Sequence, residues 1–147
     1  MSYNISMEIL NKKAKFEYVL TGDRVEAGLS LLGAEAKAIR EGRADLSQAV
    51  IKILNGEAYL INANIPALGP KNYNPTQMRK LLLHRQEITQ LTSKAKQQKL
   101  TLVPIKLYNK DRLMKLSIAL GKPKRKFEKK EDIKRQDVDR DLEREFS

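Results

Sequence analysis

The dipeptide Asn55-Gly56 constrains the fold of this chain more than any other part of its sequence. Both residues tolerate positive φ angles, which the tightest turns between antiparallel strands require. The runs on either side, residues 49–54 and 58–61, consist mainly of β-branched, aliphatic and aromatic side chains, as strands do. The sequence therefore predicts a β-hairpin centred on this turn.

Strand patterns also occur before and after this hairpin. Phe16, Tyr18 and Leu20 recur at a spacing of two, and a Thr-Gly-Asp turn follows them. A second pair of apolar runs flanks Asn109-Lys110-Asp111. We expect a first hairpin from residues 15–20 and 25–32, and a third from residues 100–108 and 113–120.

Two segments have the composition of helices. Residues 34–41 are rich in alanine and are followed by Gly42, a usual residue at helix C-termini. Residues 84–99 place Ile88, Leu91 and Ala95 on one helical face. Between the helices, residues 65–76 contain three prolines and one glycine, which predict an exposed loop without strand pairing.

Six strands in three hairpins, without a repeating strand-helix-strand order, favour an antiparallel arrangement. The predicted fold is therefore mainly β, with inserted short helices: a six-stranded barrel of the oligonucleotide-binding type. We assign residues 1–121 to this domain.

Residues 122–147 form a separate tail, which carries 18 charged and only five apolar side chains. Such a segment buries too little apolar surface to offset the entropy lost on ordering, so we expect it to be disordered in the free protein. Val138, Leu142 and Phe146 recur every four residues and predict a helix that is marginal alone and forms on a partner.

The formal net charge of +11 indicates an acidic partner. The chain has no cysteine, which fits a reducing compartment, and its sequence shows neither a secretory signal nor an apolar run long enough to span a membrane. We expect a soluble, cytoplasmic protein with no membrane association.

Catalytic chemistry finds little support in the sequence. His84 is the single histidine, and a surface or helix-capping role suits it better than that of a general base. Phosphate loops, paired carboxylates and metal-ligand spacings are missing. Glu35 and Lys37 point to different faces of their helix, so we interpret them as solvated surface residues. We expect no catalytic residue, no cofactor and no metal site.

Several residues suit contacts with nucleic acid, although each has a simpler interpretation. Lys12 and Lys13, beside Asn11, could neutralise phosphates or serve solubility alone. Glu26 could accept hydrogen bonds from base amino groups or be an ordinary strand residue. The leucines at 81–83 suit a core, although one could present an apolar face to a base.

Seven segments taken together resemble the SsrA-binding protein family, known as small protein B, the tmRNA-binding partner in bacterial trans-translation. The likeness extends in order from Asn11 to the end of the tail, and its motifs lie at residues 11–14, 25–28, 32–37, 40–44, 55–58, 79–84 and 102–108.

The resemblance implies a barrel that binds the tRNA-like domain of tmRNA and delivers alanyl-tmRNA to stalled ribosomes for ribosome rescue and tagging of nascent peptides. It implies a monomer when bound to tmRNA. The positions that match the family's RNA-binding residues are Asn11, Glu26, Leu82 and His84, and we add Lys12 and Lys13 as phosphate contacts.

The resemblance also implies that the tail occupies the empty mRNA channel near the decoding centre of the small ribosomal subunit. Pro123 and Lys130 replace the family's usual Gly and Arg, which implies a stiffer hinge and a different phosphate contact. The tail residues expected to contact the ribosome are Lys124, Arg125, Phe127, Glu128, Lys129, Lys130 and Lys134.

Two other classes of function compete with this interpretation. A basic barrel could be a general binder of single-stranded nucleic acid, but the chain has only three Phe, five Tyr and no Trp to stack on bases. A small hydrolase or nuclease is the remaining class, and an assay for RNA or nucleotide cleavage with added Mg²⁺ would test it.

Overall fold

A computed structural model of the protein describes residues 8–110 and 112–125. Strands predominate, and three helices lie between them. The elements in chain order are β1 (Ile9–Leu10), α1 (Ala14–Glu17), β2 (Tyr18–Leu29), α2 (Gly33–Arg40), β3 (Val50–Leu54), β4 (Glu57–Ile61), β5 (Arg79–Leu82), α3 (Arg85–Gln98), β6 (Thr101–Lys110) and β7 (Leu113–Pro123).

The strands form one antiparallel sheet in the order β1-β6-β7-β2-β5-β4-β3. The edge strand β3 lies close to β6, but no ladder of hydrogen bonds joins these two strands in the described part of the chain. The mainly β class and the antiparallel arrangement are confirmed, and barrel closure stays a prediction.

Two of the three predicted hairpins are confirmed. In the β3–β4 hairpin, Asn55 and Gly56 have φ angles of 52° and 77° and connect Leu54 to its partner Glu57. The β6–β7 hairpin pairs from Thr101 with Gly121 to Lys110 with Leu113. Local turn chemistry was sufficient to place both.

The predicted first hairpin is wrong. Its first half begins in α1, and residues 18–29 then form the single long strand β2. Both halves of β2 pair with β7, from Tyr18 opposite Pro123 to Gly28 opposite Lys115, and the predicted turn is only an irregularity between Leu20 and Arg24. A long partner strand therefore overrides the local turn signal.

Two strands, β1 and β5, were not predicted. Because two predicted strands merge into β2, the described residues contain seven strands rather than six. β1 is only two residues long, and in β5 the buried Arg79 and the exposed Lys80 hide the alternation that marks a strand. β5 nevertheless connects β2 to β4, so it joins the two halves of the sheet.

The apolar core lies on one face of the sheet, against the helices and the loop after β4. Both longer helices are confirmed within one residue of the predicted bounds, and Ile39 of α2 and Ile88 of α3 are buried. The loop over residues 65–76 contains no strand, as predicted, but it is only partly exposed because Ile65 is completely buried. The largest core side chains are Ile39, Leu46, Leu60, Ile65, Leu81, Leu107, Leu116, Ile118 and Leu120.

Candidate nucleic-acid interface

Four residues, three of them polar, form a row across four strands on the face of the sheet opposite the core. Residues that pair directly across antiparallel strands point to the same face. Leu10 of β1 pairs with Lys106 of β6, Lys106 with Ser117 of β7, and Ser117 with Glu26 of β2. This register places Glu26 and Lys106 on one surface.

A second row runs parallel to the first. Tyr108 pairs with Lys115, Lys115 with Gly28, and Gly28 with Leu82 of β5. A Cβ atom at Gly28 would lie 3.4 Å from Leu82 Cδ1, so the leucine side chain packs across the bare backbone of the glycine. Leu82 remains 57% exposed. The structure therefore brings Leu82 and Glu26 to neighbouring strands on the same face.

A third row continues this surface to the edge of the sheet. Lys80 of β5 pairs with Tyr59 of β4, and Tyr59 pairs with Lys52 of β3. Lys80 and Lys52 are exposed, and Lys80 forms an ion pair of 3.5 Å with Glu57. We call the surface of these three rows the outer face; it comprises Leu10, Lys52, Tyr59, Lys80, Leu82, Glu26, Gly28, Lys106, Tyr108, Lys115 and Ser117.

Glu26 lies at the most polar part of the outer face. The Tyr108 hydroxyl donates a hydrogen bond to Glu26 Oε2, and Lys110 Nζ lies 3.4 Å from the same oxygen. The hydrogen bond from Tyr108 lowers the pKa of Glu26, with help from Lys110 and Lys115. Burial and the hydrogen bond to Glu26 raise the pKa of Tyr108. Glu26 is thus held as an acceptor for hydrogen bonds.

Asn11, Lys12 and Lys13 lie at the β1 border of the outer face, in the turn that leads into α1. Asn11 Nδ2 donates to the Pro104 carbonyl over 2.8 Å, so this side chain anchors the turn to β6. Lys12 and Lys13 are exposed. Glu26 is three strands away, about 14 Å at the usual strand spacing. The structure therefore does not place this cluster in contact with Glu26.

His84 immediately precedes α3 and follows Leu82 by two residues. Its backbone N–H donates to the Glu87 carboxylate over 3.1 Å, and its side chain is exposed. His84 therefore occupies the N-cap position of α3, and its backbone N–H rather than its ring makes the contact with Glu87. This position also leaves the ring accessible at the end of β5, next to the outer face.

The tail candidates fall mostly outside the structure. Phe127, Glu128, Lys129, Lys130 and Lys134 lie outside the described residues. β7 continues through Pro123, two residues past the predicted end of the domain, and the Lys124 backbone N–H donates to the Glu17 carbonyl over 2.8 Å. Arg125 is exposed.

A buried ion pair supports β5 from the core side, and the interpretation of Glu35 as a solvated residue is wrong. Glu35 and Arg79 are each 1% exposed, with 2.6 Å between Arg79 Nη2 and Glu35 Oε2. Burial alone would raise the pKa of Glu35, but hydrogen bonds from the Leu32 N–H, Arg79 and Tyr73 hold it below its usual value. Helical spacing could not reveal Arg79, because it lies far along the sequence.

Arg79 also fixes the loop that precedes β5. Its Nη1 donates to the Ala63 carbonyl over 2.6 Å, and its Nη2 donates to the Pro75 carbonyl over 2.9 Å and to the Tyr73 hydroxyl over 3.0 Å. The Tyr73 hydroxyl lies 2.7 Å from the Ile65 carbonyl and 3.0 Å from Glu35 Oε2, so its single proton is shared between the two acceptors. The side chains of Arg79 and Lys80, which are adjacent in sequence, therefore lie on opposite faces of the sheet.

Sequence reasoning missed Tyr108, Lys106 and Lys115 as site residues. The local signal is limited to the polar residues Lys115 and Ser117, which lie at every second position in part of β7. Only the strand register shows that Tyr108, Lys106 and Lys115 share a face with Glu26. Lys106 Nζ lies 5.3 Å from the centre of the Tyr108 ring, which is a favourable cation–π distance. The outer face thus combines cations, two tyrosines and one carboxylate.

The described residues contain neither a cluster of metal-binding side chains nor a helix that could cross a membrane. In residues 8–110 and 112–125, no three His, Cys, Asp or Glu side chains lie together in a way that could hold a metal ion. Each helix in that part of the chain is too short or too polar to cross a membrane.

Comparisons with known proteins give a consistent result. The model of the SmpB protein family matches residues 8–147. The SsrA-binding protein of Gloeobacter violaceus is 45% identical over 137 residues, covering 91% of this chain and 90% of that protein. The SsrA-binding protein of Enterococcus faecalis is 44% identical over 137 residues, covering 91% and 88%.

A solved structure is similar as well. It is described as "tmRNA-SmpB: a journey to the center of the bacterial ribosome", and the match has a TM-score of 0.66 and 34% sequence identity, over 86% of this chain and 94% of that chain. Sequence and fold therefore agree over nearly the same span. This chain belongs to the SmpB family of SsrA-binding proteins.

Proposed function

We propose that this protein is an RNA-binding adaptor that binds the tRNA-like domain of tmRNA through its outer face. It delivers alanyl-tmRNA to stalled ribosomes for trans-translation, which rescues the ribosome and tags the nascent peptide. Membership of the SmpB family and the relatives named SsrA-binding proteins support this function. The work is binding rather than catalysis, and we place it in the cytoplasm, where ribosomes translate.

One observation carries the proposal for the site. The strand register puts Glu26 and Leu82 on neighbouring strands of an outward face that also presents Lys80, Lys106 and Lys115. Lysines neutralise phosphates and set affinity, whereas a fixed carboxylate and an apolar side chain can distinguish bases. The combination suits an RNA fold in which backbone and unstacked bases are presented together.

The same surface is less suited to a general binder of single strands. Such proteins stack successive bases on aromatic side chains. The described part of the outer face offers Tyr59 and Tyr108, which lie four strands apart in the sheet. Tyr108 also has its hydroxyl engaged by Glu26. Charge and contour therefore supply more of the binding than stacking does.

We further propose that residues 122–147 act on the ribosome, with the tail in the empty mRNA channel near the decoding centre. The basic run that begins at Lys122 suits a path lined by RNA phosphates. Lys124 and Arg125 lie where the chain leaves β7, at the opposite end of that strand from Lys115. Body and tail would therefore contact different RNAs.

A gel-shift experiment tests the function. We expect the protein to bind tmRNA more tightly than tRNA or an unrelated RNA at two salt concentrations, and excess poly(U) should not displace it. Leu82→Ser should weaken tmRNA binding, whereas the control Leu68→Ser should not, because Leu68 is 88% exposed in the loop after β4. Equal binding of all RNAs, or equal effects of the two variants, would contradict the proposal.

A further inference from the structure

We infer that Tyr108 is a positioning residue for RNA recognition: its hydroxyl holds one oxygen of the Glu26 carboxylate so that the other oxygen can accept a hydrogen bond from a base edge. The inference rests on the proposed function and adds the chemistry of the recognised group. That group is an N–H donor of a nucleobase, such as an amino group of guanine, cytosine or adenine.

The contact crosses the strand that lies between the two side chains, at a point where that strand carries a small residue. Tyr108 is on β6 and Glu26 is on β2, separated by β7. Ser117 of β7 pairs with Glu26 and with Lys106, which precedes Tyr108 by two residues. The strands β6 and β2 are about 10 Å apart at ordinary spacing, a distance that the tyrosine and glutamate side chains together can bridge across a serine.

The hydrogen bonds of Glu26 are unevenly distributed between its two oxygens. Tyr108 donates to Oε2, and Lys110 Nζ lies 3.4 Å from that same atom. Within the described part of the protein, no side chain donates to Oε1. An ionised carboxylate only accepts hydrogen bonds, so Oε1 can serve only a group that donates.

The ring of Tyr108 is itself held in place. Lys106 Nζ lies 5.3 Å from the ring centre and 3.3 Å from Glu8 Oε1. A chain of contacts therefore runs from Glu8 through Lys106 and Tyr108 to Glu26. Since the carboxylate is fixed before RNA arrives, less side-chain entropy is lost on binding.

The sharpest variant is Tyr108→Phe, which removes the hydroxyl and keeps the ring beside Lys106. We expect it to weaken tmRNA binding about two- to tenfold, the range for one side chain that must be ordered on binding. The control Tyr18→Phe, at the start of β2 and outside the outer face, should leave affinity unchanged. Both variants should remain folded, and Tyr108→Phe should lower the unfolding temperature only slightly, because it loses one hydrogen bond.

A double-mutant cycle shows whether Tyr108 works through Glu26. If it does, Tyr108→Phe should have almost no effect in a Glu26→Ala background, because the carboxylate that it orients is gone. A loss of affinity that persists in that background would overturn the inference, since Tyr108 would then contact RNA by itself. Unchanged affinity of Tyr108→Phe in the wild-type background would also overturn it.

The titration of Glu26 gives a second readout, which tests whether the Tyr108 hydroxyl holds the carboxylate in solution. In the free full-length protein, followed by NMR, Tyr108→Phe should raise the pKa of the Glu26 carboxyl toward its usual value. Lys110 and Lys115, the other charged groups that lower this pKa, remain in the variant, so the rise should be partial. An unchanged titration would contradict the inference.

Failure of this inference can be distinguished from failure of the proposed function. If the wild type binds tmRNA selectively and Tyr108→Phe binds equally well, the proposed function is supported and the role of Tyr108 is refuted. If the wild type does not bind tmRNA more tightly than other RNAs, the proposed function is refuted, whatever the affinity of the variant.

Discussion

The buried pair of Glu35 and Arg79 is the interaction whose loss we expect to destabilise the fold most. Glu35→Leu would leave the guanidinium of Arg79 buried without a counter-charge, because the side chain is 1% exposed. Breaking a buried pair in this way costs about 3–5 kcal/mol. A domain of this size is stable by only about 5–15 kcal/mol, so the variant should lose a substantial share of its stability.

The double variant Glu35→Leu/Arg79→Met should be more stable than Glu35→Leu alone, since it removes both buried charges. It should not recover wild-type stability, because Arg79 also donates to the carbonyl of Ala63, a completely buried residue. A buried polar group left without its partner costs about 1–3 kcal/mol. We therefore expect the double variant to lose about that much.

Urea unfolding at neutral pH, followed by circular dichroism, measures these differences. The matched control is Glu57→Leu, which breaks the exposed ion pair between Glu57 and Lys80 and should cost less than about 1 kcal/mol. The reasoning is refuted if Glu35→Leu costs no more than Glu57→Leu. It is also refuted if the double variant loses as much free energy of unfolding as the single variants Glu35→Leu and Arg79→Met lose together.

Three further predictions concern pH, packing and the tail. The pKa of Glu35 is lowered in the folded protein, so the ionised Glu35 contributes fully to stability above about pH 4.5, and this contribution is lost as the pH falls through the pKa of the folded state. The urea midpoints of the wild type and Glu35→Gln should therefore converge on acidification. A constant difference between the two midpoints would contradict this. A Cβ at Gly121 would lie 3.1 Å from Tyr18 Cβ, so Gly121→Ala should lower the free energy of unfolding, measured with urea, by about 1–3 kcal/mol. A variant as stable as the wild type would contradict this close packing. Lys129→Glu with Lys130→Glu should spare tmRNA binding in a gel shift and abolish peptide tagging, and loss of tmRNA affinity with intact tagging would contradict the division between body and tail.

Local chemistry was enough to predict some elements of the fold from sequence. Asn55 and Gly56 encode their turn through their own backbone preferences, and α3 follows from the spacing of its apolar residues. The first hairpin failed because the turn signal at residues 21–23 was judged without its partner strand. β7 is long enough to pair with both halves of β2, and pairing over that distance leaves no local mark.

The residues of the candidate site likewise include some that the sequence could predict and some that it could not. Glu26, Leu82 and His84 were found through the resemblance, and the register brings Glu26 and Leu82 to neighbouring strands with His84 just after β5. Tyr108 could not be found, because its contact with Glu26 depends on the pairing of β7 with β2, whose residues lie far apart in sequence. Glu35 was misjudged for the same reason: helical periodicity describes its own helix and says nothing of Arg79.

The most direct test of the account maps the RNA-bound surface by NMR, using the full-length protein and the tRNA-like domain of tmRNA at physiological ionic strength. We predict that the shifts concentrate on the outer face, at Glu26, Leu82, Lys106 and Tyr108, and extend to His84. Changes confined to α2 and the β3–β4 turn, with the outer face unperturbed, would contradict the claim that this face binds the RNA.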